Sequence, residues 1–226
     1  MRKLLLLFGT IFCFNQSSGQ VIQATLGTTT KLAADFLGYN GANFLRADQP
    51  NYDTQWIVDS LASLYPSTVR YPAGLPSNYW DWRTGNFVQN LKEGWILPKD
   101  FGSIKKTSDF TTIRTMLEGN AAVPMLSLNI LCSSKENETA GLMFANSLNI
   151  PVKYIEFGSE LYHDRLNYLD EFPSAESYAL KCNEWAAFIK SIPGFQNYKI
   201  AAVGAQPNSD PVFSRRNSWT KKVTDV

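Results

Sequence analysis

Glu156 and Glu160 are the residues whose placement most readily suggests chemistry. They lie in the run Tyr154-Ile155-Glu156-Phe157-Gly158-Ser159-Glu160-Leu161-Tyr162. Strand alternation predicts Glu156, Gly158 and Glu160 on one face. A carboxyl group at the tip of such a strand, in an aromatic and partly apolar setting, holds its proton more tightly and can act as a general acid. Gly158 leaves room just below it for a ligand. The competing reading of Glu160 is an ordinary surface carboxylate in a loop. The two glutamates are not themselves a nucleophile and acid pair. Four residues of strand span about 13 Å, whereas displacement between two carboxylates with retained configuration needs about 5–5.5 Å. A second carboxylate must therefore come from another strand. Glu156, if turned inward, needs a cation, because an unpaired buried charge is costly. Arg70 is the candidate, which makes Glu156 a structural residue rather than a reacting one.

A second group of residues lies in Val69-Arg70-Tyr71-Pro72-Ala73-Gly74 and Asn78-Tyr79-Trp80-Asp81-Trp82-Arg83. Small residues after a strand let the backbone approach a ligand. Trp80 and Trp82 can stack on sugar faces or simply pack a long loop onto the rim of the fold. Arg70 serves equally as a strand-end ion-pair partner. Asn129 offers a donor and an acceptor to substrate hydroxyls, or caps a turn. His163, three residues after Glu160, can bind substrate, adjust the acid, or be merely solvated. It is the one histidine of the chain. A zinc site with several His ligands is excluded, and the three cysteines form no CxxC pair.

The elements that must position these groups alternate. Strands are expected at 36–40, 68–71, 123–128, 152–157 and 198–203. Helices are expected after a cap at Asp53, after Thr107 or Ser108, over 139–148, and after Ser174. In the last of these, Tyr178, Cys182, Trp185 and Ile189 recur at helical spacing. A long aromatic loop fills 73–106. The order β-α-β-α-β-α-β-α-β implies a parallel sheet with right-handed crossovers. GxGxxG and P-loop motifs are absent, and long aromatic loops at strand ends suit a (β/α)8 barrel. Five strands use about forty residues per unit, so the fold class expected is α/β, a partial (β/α)8 TIM barrel of about the first five βα units.

The composition agrees with an exported globular chain. Lys and Arg total 21 against 20 Asp and Glu among 226 residues. Such balance argues against a nucleic-acid partner. Arg2-Lys3, the apolar run from Leu4 to Phe14 and the small residues Ser17 and Gly19 read as a signal peptide over 1–19. That run is shorter than a membrane span, so no membrane anchor is expected and the location is secreted or periplasmic. A lead segment follows over 20–35, and the truncated domain over 36–226. Cys132 and Cys182 remain after export and can pair or stay as thiols. Asn137-Glu138-Thr139 fits a glycosylation pattern. Oligomeric state is not readable from the sequence.

Two motifs carry a family resemblance. Arg70-Tyr71-Pro72-Ala73-Gly74 with Asn78-Tyr79-Trp80-Asp81-Trp82 resembles the RYPGG…NYWDW segment that follows strand two of exported bacterial sugar hydrolases. Tyr154 to Tyr162 resembles their strand-four GNE-type motif. Together they are similar to the retaining glycoside hydrolases with (β/α)8 barrels, near the α-L-arabinofuranosidase and heparanase-like β-glucuronidase branches. The resemblance implies a carbohydrate substrate, no cofactor, and Glu160 as general acid/base. The family's Asn before the acid is Ser159 here, a shorter side chain with no amide, and PGG is Pro72-Ala73-Gly74. The resemblance also implies a nucleophile on strand seven, beyond Val226. The alternative is a non-catalytic carbohydrate-binding relative.

Overall fold

The computed structural model describes residues 37–41, 45–46, 50–99, 101, 104–106, 109–207 and 214–226. The signal segment and the lead segment, with Phe36, Thr107 and Ser108, lie outside the described residues.

Five parallel strands form the central sheet, in the order β1-β3-β7-β8-β9. They are β1 (Gly38–Asn40), β3 (Thr68–Tyr71), β7 (Val123–Leu128), β8 (Tyr154–Phe157) and β9 (Lys199–Ala202). Two short antiparallel pairs stand apart from it: β2 (Leu45–Arg46) with β6 (Ile104–Lys106), and β4 (Trp80–Asp81) with β5 (Asn86–Phe87). The helices are α1 (Gln55–Ser63), α2 (Phe110–Met116), α3 (Lys135–Ser147), α4 (Leu166–Glu171), α5 (Ala175–Ser191) and α6 (Ser214–Thr224). This is the expected partial (β/α)8 architecture, with strands ordered outward in sequence as a barrel requires.

Alternation divides the sheet. Val69 and Tyr71 in β3, Leu126 and Leu128 in β7, and Ile155 and Phe157 in β8 are buried in the main apolar core. Ile113, Met116, Leu142, Tyr178 and Trp185 of the helices belong to the same core. Burial of each such side chain contributes roughly 1.5–3 kcal/mol. The opposite face carries Arg70, Ser127 and Glu156. Register aligns Asn40 with Arg70, Arg70 with Met125, and Ser127 with Glu156. Polar groups from four strands thus share one end of one face.

Helix starts differ from the expectation in three places. Thr54, not Asp53, precedes α1, and it makes no side-chain cap. Asp109, not Thr107 or Ser108, caps α2 by accepting from Thr112 N–H. An aspartate directly before an apolar turn does this as well as Ser or Thr. α3 begins four residues before the expected 139, because Ser134 caps it by accepting from Asn137 N–H. The expected cap at Ser174 is present as a reciprocal capping box with Ser177. Cys132 and Cys182 are both free thiols. Burial raises both, Cys182 to about 12, so that thiol stays protonated.

Candidate active site

The site is built from the strand ends upward. Arg70, near the end of β3, donates Nε to Glu156 Oε2 at 2.5 Å. It also reaches Asn40 Oδ1 at 3.2 Å and Ser159 Oγ at 3.3 Å. Ser127 Oγ donates to the same Glu156 oxygen at 2.8 Å. The arginine thus ties β1, β3, β8 and the segment after β8 together. Its planar fork suits that task, since several donors leave one rigid group.

The chain leaves β8 at Phe157, so strand alternation does not continue to Glu160. Gly158 has φ 76° and Glu160 φ 50°. The left-handed region suits glycine, and for glutamate it costs about 1–2 kcal/mol. Gly158 is required for a second reason. A Cβ there would lie 2.7 Å from Leu161 Cδ1 and 2.9 Å from Asn78 Oδ1. The space below Glu160 is therefore filled by protein, not left open for a ligand as its sequence position suggests.

The turn delivers Glu160 to the strand-end side of the sheet with 46% of its side chain exposed. It is not enclosed by aromatic groups in the way the sequence suggests. His163 Nε2 lies 2.9 Å from Glu160 Oε2, and His163 N–H donates to Glu160 O at 3.1 Å. The imidazole thereby fixes one carboxyl oxygen. Tyr162 packs against the His163 ring at 4.8 Å.

Ser159 is buried and bound on three sides. Its N–H donates to Asn78 Oδ1 at 2.8 Å, and its carbonyl accepts from Asn78 Nδ2 at 2.7 Å. Its hydroxyl accepts from Arg70. Ser159 is thus a linkage between Arg70 and the Asn78 segment. Asn78 Nδ2 also donates to Tyr168 OH at 2.9 Å. Burial pushes the Tyr168 phenol up to about 12, so it remains neutral. Asn78 was legible only as a letter of the aromatic motif, and nothing in its type announced that it would pair with a backbone 81 residues away.

Three expected substrate contacts are corrected. Asn129 is fully buried; its Nδ2 donates to Trp80 O at 3.0 Å and its Oδ1 accepts from Cys132 N–H at 2.9 Å. Buried, with both ends of the amide engaged, it anchors a loop and is out of reach of a sugar hydroxyl. Trp80 is 2% exposed and packs edge-on against Tyr71 and Phe110. Trp82 packs on Phe110, Phe144 and Gly141 and donates Nε1 to Asn137 O at 3.0 Å. Both indoles hold the long loop on the helices, Trp80 buried and Trp82 half-buried. Asn137 itself is half-buried and donates to Ser133 Oγ.

Glu138 is a buried carboxylate that sequence reasoning passed over as part of the glycosylation pattern. It sits in the first turn of α3, where Oε2 accepts from Asn129 N–H at 3.1 Å. Burial pushes it up to about 7, against the pull of Ser133 and the Asn129 amide. Among the described residues no helix is long and apolar enough to cross a membrane.

Fold and site define a part of a (β/α)8 barrel with a carboxylate and imidazole pair presented after the fourth sheet strand in sequence. No protein-family model and no curated protein matches the chain. Solved structures do. The family 51 α-L-arabinofuranosidase AbfB from Bifidobacterium longum aligns with TM-score 0.58 at 16% identity, covering 90% of this chain and 44% of its own. The thermostable family 51 enzyme of Thermotoga petrophila RKU-1 aligns at TM-score 0.53 and 16% identity, over 80% of this chain and 42% of its own. Another arabinofuranosidase aligns at 0.52 and 14%, over 83% and 43%. The likeness is one of fold, and the chain spans less than half the length of these structures.

Proposed function

We propose that this chain is the acid-bearing part of an exported retaining glycoside hydrolase of arabinofuranosidase type. The observation that carries the reading is Glu160: a half-exposed carboxyl in a strained left-handed turn beyond the end of β8, held by His163. Strain of this kind persists where surrounding structure over-determines it, and it concentrates at functional sites. With Oε2 engaged by His163, the other oxygen faces the task of giving a proton to the leaving glycosidic oxygen. The nucleophile that completes the reaction is a second carboxylate from a further barrel strand. Glu156 does not fill that role: it lies on β8, only four residues before Glu160, and its ion pair with Arg70 binds it into the sheet.

The alternative, a carbohydrate-binding relative without catalysis, depended on the aromatic loop as a stacking surface. The burial of Trp80 and the packing of Trp82 on Phe110 and Phe144 favour the hydrolase reading over it.

The test is leaving-group dependence in the whole protein. Glu160→Gln lowers turnover of glycosides with poor leaving groups by about 10²–10⁴-fold, the usual contribution of a general acid. Activated aryl glycosides lose far less at the glycosylation step. Equal loss of kcat/KM, which reports the glycosylation step, on both sinks the assignment.

A further inference from the structure

Arg215 lies on α6, outside the site, and the mechanism above does not use it. Its Nη2 donates to Phe172 O at 2.6 Å and Leu161 O at 3.3 Å, while Nη1 donates to Pro173 O at 3.2 Å. One guanidinium therefore holds both ends of the segment that runs from the residue after Glu160 to the end of α4. The group lies over the Trp219 ring at 4.9 Å. Trp219 is fully buried and donates Nε1 to Val203 O at 2.8 Å, which fixes α6 to the end of β9. Arg216 adds a second tie. Its Nε donates to Gln206 O at 2.8 Å, and its guanidinium lies 5.2 Å over Tyr162, the neighbour of the His163 ring.

Glu160 thus stands between two anchors. Asn78 grips the backbone of Ser159 on one side, and Arg215 grips the carbonyl of Leu161 on the other. A glutamate at φ 50° relaxes toward ordinary backbone angles unless both neighbours are held. Charge-assisted bonds to carbonyls are strong enough for this, and a forked donor reaching three oxygens does what a lysine point charge cannot.

We propose that Arg215 is a positioning residue for the acid: by clamping Leu161, Phe172 and Pro173 it sets the left-handed presentation of Glu160 and the stance of His163. The proposal rests on the reading of Glu160 as the acid. Its test has two readouts in folded Arg215→Met and Arg215→Lys variants. The first is the imidazole NMR signal of His163 in the whole protein, assigned by its disappearance in His163→Gln. The second is kcat/KM for poor against activated leaving groups in the whole protein. The clamp predicts shifted His163 signals in both variants. It also predicts a loss of about tenfold or more on poor leaving groups, with activated aryl glycosides within about threefold. Arg215→Lys serves if Arg215→Met does not fold. Unmoved His163 signals, or equal losses on both substrates, overturn the clamp. If the wild type cleaves no glycoside, the glycosidase reading fails, and the His163 signals alone then decide whether Arg215 sets this segment.

Discussion

Arg70 and Glu156 show how one residue's role depends on its partner. The pair is linked at 2.5 Å with about a quarter and a fifth of the side chains exposed. Breaking a fully buried pair costs about 3–5 kcal/mol, and partial exposure reduces that. Glu156→Gln is therefore expected to lower unfolding free energy by about 1–2 kcal/mol in urea titrations. Turnover of the folded variant should stay close to wild type. A fully stable Gln variant without activity would move Glu156 from the scaffold into the chemistry. The sequence made the need for a cation beside Glu156 legible, and Arg70 meets it. It did not reveal that the same guanidinium also reaches Asn40 and Ser159, because those contacts depend on the β1–β3 register and on the turn after β8.

At the scale of elements, α3 carries a titratable group within its first buried turn. Glu138 holds its proton up to about 7 when folded, against 4.5 for an ordinary glutamate. The folded state therefore binds more protons than the unfolded state between those values. Stability from this group is greatest below about 4.5, declines as pH rises toward 7, and stays low above it. The full swing is of order 3 kcal/mol. Glu138→Gln, compared with wild type by urea denaturation at pH 5 and pH 8, should remove most of that decline. An unchanged decline would place the titration elsewhere. The strands were legible because apolar runs such as Val123–Leu128 and Tyr154–Phe157 stop at Asn129 and Gly158. The end of β8 at Phe157 agrees with the expected strand, but its alternation does not carry on through Gly158 to Glu160, because the backbone turns there. For Trp80, Trp82 and Asn129 the sequence left sugar contact open beside packing and capping roles, because residue type tells what a side chain can bind while burial and packing decide what it does bind.

The whole sheet has two outer strands. β1 and β9 each pair on one side within the central sheet, and Gly38–Asn40 and most of Lys199–Ala202 are exposed. Unpaired edges template association. The 226-residue chain expressed alone is expected to self-associate in sedimentation velocity at micromolar concentration. A monomer with a single sharp melting transition would contradict the partial-barrel account of its stability. The arabinofuranosidase structures are more than twice as long as the part of them matched here.

The most direct test of the central claim is rescue of Glu160→Ala by azide in the whole protein. An activated aryl glycoside is the substrate, and NMR reads the configuration of the product. If Glu160 is the acid/base of a retaining hydrolase, turnover falls without azide, and azide restores it by about tenfold or more. The product is then a glycosyl azide of the same configuration as the bond cleaved, since two displacements retain it. Wild-type turnover in the absence of azide, or a product of inverted configuration, contradicts the account.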